Sequence, residues 1–343
     1  MEGFAASDSV KAAVLESDLL SFLTDHGIAH PSFSRIKSGR NSRVWQVNSA
    51  QRQWLLKQYH HHKGDQRDRL DTEFVFLSFL HGNGVWNIPK PLICDRERKW
   101  GLYSYLPGEA VKTITTEHLT QVTEFVCRIN QLRTTAAAQH LPYASESSLS
   151  LQEHLKRIFN RLESLKKIEG DGFVYETAKA LVKEKLIPTF LHLRDSIMSR
   201  YSQNTVEKLL EPDERILSPS DLGFHNILQE GDCLYFLDFE YAGWDDPAKL
   251  FCDFACQPER PVTRRMAEVF CEQVCRQLNL SGTERRTEIL LPLYRLKWCC
   301  ILMNEFCTKD RERREYAGKQ QSGILSVQLG KAQDYFNQHL RDI

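Results

Sequence analysis

Apolar residues recur every three or four positions through 11–27 (KAAVLESDLLSFLTDHG) until a glycine closes the run, a spacing that predicts a helix. The pattern then changes. FSRIKSG, RVWQVNS and QWLLKQY are short runs rich in apolar, β-branched and aromatic residues, and they predict three strands. Polar turns separate them, at Gly39-Arg40-Asn41-Ser42 and Ser49-Ala50-Gln51-Arg52. Helical spacing returns over 66–82, where Leu70, Phe74, Leu77 and Phe79 or Leu80 lie near one face. NIPKPLICD and KWGLYSYL predict two further strands. The first 107 residues therefore read as a small antiparallel sheet with one internal helix and a leading helix.

From Thr113 onward the helical period dominates. Helices are predicted over 116–133, 150–168, 173–200, 203–210, 262–278, 284–309 and 318–340. The composition shifts from β-rich to α-rich near Pro107-Gly108, which divides the chain into 1–107 and 108–343. Residues 136–148 (AAAQHLPYASESS) read as a loop without a pattern.

One segment interrupts the helices and carries the chemistry: SPSDLGFHNILQEGDCLYFLDFEYAGWDDP, residues 218–247. LGFHNIL is apolar around Asn226, QEGDC is a turn, and LYFLDFE is strongly β-prone. Two strands joined by that turn bring Asp221, Asn226 and Asp238 to one end of a hairpin. An acid able to take a hydroxyl proton then sits beside an Asn and an Asp able to hold a divalent cation. Kinase-type phosphoryl transfer uses such a set, with an Asn five residues after the first Asp and a metal-binding Asp after a short hairpin.

This segment resembles the catalytic core of the aminoglycoside phosphotransferase and choline kinase group, small-molecule kinases with a protein-kinase-like fold. The family pattern is H-G-D-x-x-x-x-N, an apolar strand, D-[FW]-[ED], then G-x-x-D-P. The chain has PSDLGFHN, YFLDFE and GWDDP. It departs at Pro219 and Ser220, which stand where the family has His-Gly, so the packing inside that loop is expected to differ. The resemblance implies an α+β, bilobal protein-kinase-like fold, with an antiparallel-sheet N-lobe for nucleotide and a larger helical C-lobe for catalysis and acceptor. It implies ATP and Mg²⁺ as cofactors, Asp221 as the catalytic acid, and Asn226 and Asp238 as metal ligands. Glu240, two positions after Asp238 and expected on the same face of a strand, is a further candidate for metal or substrate.

The N-terminal part offers matching candidates. The loop KSGRNSRVWQV, with Gly39, Asn41 and Ser42, resembles the family's glycine-poor phosphate loop, and a plain hairpin turn would look the same. Lys57 lies on the strand after it, where this fold keeps its phosphate-binding lysine. Glu73 lies beside the apolar stripe of the next helix, a costly place for an acid unless it is paired. A Lys57–Glu73 ion pair explains it, against the alternative of a boundary Glu reaching solvent. LYSYLPGE resembles the family's hinge, with backbone groups near Ser104–Leu106 facing adenine. Asp246 before Pro247 reads as a helix cap, and Asp253 as structural.

Composition narrows the class. The 343 residues carry 45 basic and 45 acidic side chains, with no basic stripe to favour nucleic acid. No stretch approaches a membrane span and no signal sequence opens the chain, so a cytosolic protein is expected. Ten cysteines without C-x-x-C spacing read as core thiols, and His60-His61-His62 as a polar loop. The acceptor is expected to be a small hydroxylated molecule: a sugar, amino sugar, cyclitol, amino alcohol or nucleoside-like compound. Asp245, Glu305 and Asp310 could meet a polycation, but Arg295 and Lys297 speak against one. An inert nucleotide-binding regulator, a protein kinase and a hydrolytic or phosphorylase-like use of the site are the competing readings.

Overall fold

The computed structural model describes residues 15–36, 42–50, 52–61, 67–307, 311, 316 and 323–343. Gly39, Asn41, His62 and Asp310 lie outside these residues.

The first helix, α1, is described over 15–25. Then follow β1 (Ser32–Ile36), β2 (Ser42–Ser49), β3 (Arg52–Tyr59), α2 (Arg69–Gly82), β4 (Pro91–Asp95) and β5 (Trp100–Ser104). The five strands form one antiparallel sheet in the order β1-β2-β3-β5-β4. Strand alternation gives the sheet two different faces. Trp45, Val47, Leu56, Trp100 and Leu102 pack under Leu19, Phe22 and Leu23 of α1. Lys57 and Tyr59, out of phase with Leu56, turn to α2. Asp68 starts α2 by accepting from Asp71 N at 3.1 Å, which leaves one of the four unpaired N-terminal amides satisfied.

The crossover is short. Pro107-Gly108 leads into β6 (Glu109–Ala110), which pairs with β8 (Ile227–Glu230), itself paired with β9 (Cys233–Phe236). Gly108 has φ +106°, and a Cβ there would stand 2.6 Å from the Gln229 carbonyl oxygen. Only glycine lets the chain pass that close to β8.

The remaining part is helical: α3 (Thr116–Gln131), α4 (Leu151–Leu165), α5 (Phe173–Leu181), α6 (Ile187–Arg200), α7 (Gln203–Glu207), α8 (Pro247–Cys256), α9 (Arg264–Leu278), α10 (Thr283–Leu302) and α11 (Ile324–His339). Two apolar cores fill it. One joins Phe76, Leu77 and Leu80 of α2 to α3, the β8–β9 hairpin, α8 and α9. The other packs α4, α5, α6, α8, α10 and α11 together. Six of the ten cysteines fall in α8–α10, all six buried, and none of the ten is disulfide-bonded. Among the described residues no helix is long and apolar enough to cross a membrane.

Several elements differ from expectation. The helix predicted over 173–200 is interrupted by a π-helical turn at Val182–Leu186, directly ahead of Pro188. Proline removes an amide and crowds the carbonyl four residues back, and a π turn accommodates both. The helix predicted over 203–210 stops at Glu207, and that over 284–309 at Leu302. A two-stranded antiparallel pair that was not predicted, β7 (Ile216–Ser218) with β10 (Gly243–Asp245), brackets the segment from Asp221 to Asp238. Ala144 N and Ser145 N bond to the carbonyls of Trp244 and Tyr241, which ties the patternless loop to the same segment.

Candidate active site

β3 and α2 bring Lys57 and Glu73 together. Lys57 Nζ lies 2.9 Å from both Glu73 oxygens and 3.0 Å from Asp238 Oδ1. The Glu73 carboxylate also accepts from Tyr59 OH at 2.5 Å and from Phe239 N at 3.3 Å. Glu73 is 1% exposed, so each of these partners offsets the desolvation of its charge. Burial pulls the Lys57 ammonium down, yet Asp238, Glu73 and Glu240 outweigh it and hold the group well above its ordinary range. Lys57 is thus a permanent cation.

β7 ends in a sharp turn. Ser220 has φ +67°, and Asp221 N donates to the Pro219 carbonyl at 2.9 Å, closing a γ-turn. The Ser220 hydroxyl accepts from Lys249 Nζ at 3.1 Å, and Lys249 also binds Asp245 Oδ2 at 2.6 Å. The turn is therefore held by this bond. The Lys249 side chain comes from α8, which Asp246 caps through Ala248 N at 2.8 Å.

Asp221 emerges from the turn. Asn226 Nδ2 donates to its carbonyl at 3.0 Å and its Oδ2 at 3.3 Å, and His225 Nε2 lies 3.4 Å from its Oδ1. Burial pushes the Asp221 carboxyl up, but His225 and Asn226 hold it below the usual carboxylate range. A Cβ at Gly223 would fall 2.7 Å from His225 Nδ1, so this glycine leaves room for the histidine ring beside Asp221. Leu237 N donates to the Asn226 carbonyl at 2.9 Å, and the hairpin between them sets Asp238 beside Asn226. Asp238 adopts φ +65°. Ser220 and Asp238, both non-glycine and both left-handed, carry backbone strain of the kind that gathers at functional sites.

The left-handed Asp238 overturns one expectation. β9 ends at Phe236, so Glu240 does not share a strand face with Asp238. Glu240 turns inward instead, 1% exposed, with Ser42 Oγ 3.4 Å from its Oε2 and Arg69 Nε 4.0 Å from its Oε1. Burial and the neighbouring Asp238 push its carboxyl up to about 7.

Asp221, Asn226 and Asp238 line one cavity of about 740 Å³, while Lys57 and Glu73 stand behind Asp238. Bonding through Nδ2 leaves Asn226 Oδ1 with no partner among the described residues. With the part-exposed Asp238 carboxylate it forms a pair of hard oxygen donors, and these fit Mg²⁺. Glu240 does not line the cavity. Ser104 is committed within the sheet, its N–H to the Lys90 carbonyl at 2.9 Å and its Oγ to Lys90 N at 2.8 Å. Leu106 lies two residues beyond, part-buried. Of the acids considered for a polycation, Asp245 is fully buried against Lys249 and Glu305 is also buried. His225, Lys249 and the α4 face of the cavity escaped the sequence reading, and Ser220 entered it only as a departure from the family pattern. Of these, only the His225 position beside Asn226 carried a local signal.

A sheet bearing a buried Lys–Glu pair, set over a helical unit bearing an Asp, an Asn and a second Asp, defines the bilobal kinase-like α+β fold. Residues 32–264 match the model of the phosphotransferase enzyme family, APH, and the chain belongs to that family. Solved structures share the fold. Choline kinase from Cryptosporidium parvum Iowa II is 16% identical, over 90% of this chain and 91% of that one, with a TM-score of 0.56. The gentamicin complex of APH(2")-IIa is 15% identical over 90% and 97%, with a TM-score of 0.59. Ethanolamine kinase from Plasmodium vivax is 14% identical over 88% and 83%, with a TM-score of 0.55. No curated protein matches the chain.

Proposed function

We propose that the protein transfers the γ-phosphoryl group of ATP, with Mg²⁺, to a hydroxyl of a small molecule. The observation that carries this reading is that Asp221, Asn226 and Asp238 line one cavity, with Lys57 bonded to Asp238 from behind it. Lys57, fixed by Glu73, would bind the α/β-phosphates. Asn226 and Asp238 would hold Mg²⁺, which supplies charge neutralisation at the β- and γ-phosphates when bound. Asp221, ionised and oriented by His225 and Asn226, would align the acceptor hydroxyl and take its proton as the bond to phosphorus forms. Its low pKa makes it a weak base, which suits a reaction governed by positioning and electrostatics.

The same reading assigns nucleotide to residues 1–107 and catalysis and acceptor to 108–343, in the cytosol. Ser42 and the backbone around Leu106 would face the nucleotide, the latter at the adenine. A protein substrate is disfavoured because Asp246-Pro247 follows Asp238 after only eight positions, leaving no room for a peptide-docking loop. The test is ADP release across sugars, amino sugars, cyclitols and amino alcohols. Turnover should require Mg²⁺ and an acceptor. Asp221→Asn should lower kcat by about 10²- to 10⁴-fold while nucleotide affinity holds. Full activity in Asp221→Asn would remove that residue from the chemistry.

A further inference from the structure

We infer that the acceptor carries an anionic group, a carboxylate or a phosphate, seated on the polar face of α4. This rests on the phosphotransferase reading and concerns which hydroxylated molecules the cavity admits.

The amphipathic period of α4 creates that face. Leu155, Ile158 and Leu162 are buried on its inner side. Lys156, Arg157, Asn160, Arg161 and Ser164 recur at helical spacing on the other and line the cavity that holds Asp221. At 1.5 Å per residue the stripe from Lys156 to Ser164 is about 12 Å long, the size of a substituted sugar.

Charge on this wall is unbalanced. Setting aside Asp221 and Asp238, the cavity is lined by six lysines and arginines and four carboxylates. Internal pairing sharpens the difference. Lys249 binds Asp245, and Lys297 binds both oxygens of Asp253 at 2.8 and 2.9 Å. Glu153 accepts from Leu149 N at 2.6 Å and keeps its charge, and Glu259 also lines the cavity. What remains on the α4 side is Arg67, Lys156, Arg157 and Arg161, and the first and last of these converge on one carboxylate, Glu146. Burial raises the Glu146 carboxyl, but Arg161, Lys297 and Arg157 hold it well below the usual range. Arg157 bonds only to neutral oxygens, Ser148 Oγ at 2.8 Å and the Ser147 carbonyl at 2.5 Å. Lys156 is exposed and makes no ion pair among the described residues.

Bracing the 145–148 loop accounts for the Arg157 bonds and the Arg161–Glu146 pair. It does not account for Lys156, nor for the excess of cations that remains, Arg67, Lys156, Arg157 and Arg161 against Glu146, Glu153 and Glu259. An ammonium group entering the cavity would meet like charge here. A carboxylate or phosphate would gain charge-assisted hydrogen bonds and would hold its own hydroxyl toward Asp221.

The test is the thermal midpoint of the protein saturated with Mg²⁺ and a non-hydrolysable ATP analogue, at constant ionic strength. The probes are D-glucose, D-glucosamine, D-glucuronate, glucose 6-phosphate and inorganic phosphate. The sugars share a ring and differ mainly in charge, and the two anionic sugars separate carboxylate from phosphate. A further rise is expected with an anionic probe and not with glucose or glucosamine. Lys156→Gln and Arg157→Gln should each weaken that probe by about ten- to hundred-fold. Lys156→Gln alters only an exposed side chain and keeps the test open if Arg157→Gln fails to fold. A rise with glucosamine instead, or none with any anion, overturns the inference. The rise caused by Mg²⁺ and nucleotide alone reports on the phosphotransferase reading, so the two failures are distinct.

Discussion

Glu73→Gln is the most informative single change in the proposed nucleotide site. It keeps the side chain's size, removes its charge, and turns an amide toward either Lys57 or Tyr59, both of which now donate to the carboxylate. Breaking a buried ion pair costs about 3–5 kcal/mol. Lys57 retains Asp238 at 3.0 Å, so the lower end, about 3 kcal/mol, is expected here. Lys57→Met should cost a similar amount, because it removes the cation bonded to both oxygens of Glu73, which is 1% exposed. The double variant buries neither member of the pair. Its loss should fall short of the sum by about 2–3 kcal/mol. Urea unfolding measures all three stabilities, and ATP titration separates structure from function. The double variant should regain stability over the sum of its parts without regaining nucleotide affinity. Stabilities that add within about 0.5 kcal/mol would refute the coupling.

Two other changes probe the frame of the site. Ser220→Ala keeps the left-handed backbone and loses the Lys249 bond, and should cost about 1–2 kcal/mol, whereas Ser220→Gly relieves φ +67° and should melt near wild type. Equal damage from both would contradict the backbone argument. His154 is fully buried between Tyr294 OH at 2.8 Å and Asp246 Oδ2 at 3.0 Å. Burial lowers its pKa despite Asp246, so the fold keeps it neutral. Its contribution is then complete above the unfolded value of about 6.5 and is lost as pH falls from there toward the lower folded pKa. Chemical unfolding between pH 7 and 5 should show this loss, and His154→Gln should flatten that part of the profile. An unchanged slope in the variant would assign the loss to other groups.

The parts of the molecule written in local pattern were legible. β-prone runs marked β1 to β5, apolar spacing marked α2, and the Asp221, Asn226 and Asp238 spacing marked the hairpin end. The Lys57–Glu73 pair followed mainly from the family-like segment at 218–247 and the place of Lys57 in the resembled fold, supported by the cost of an unpaired acid on an apolar stripe. What escaped depends on contacts distant in sequence or on special backbone. β7 and β10 are three residues each, too short to show a period. The inward turn of Glu240 follows from the φ of Asp238, which no periodicity announces. The Ser220–Lys249 bond joins residues 29 apart, and the Glu146–Arg161 pair makes a cavity wall of a loop that looked featureless.

The most direct test of the central claim is calorimetric titration of ATP with and without Mg²⁺, comparing the native chain with Asp238→Asn. The native chain should bind ATP at least about ten-fold more tightly with Mg²⁺, from one lost charge-assisted ligand's worth of about 1.5–3 kcal/mol. In Asp238→Asn that increment should disappear while Mg²⁺-free binding persists. Equal affinity with and without Mg²⁺ in the native chain, or an undiminished increment in the variant, would contradict the assignment of this cavity to metal-assisted phosphoryl transfer.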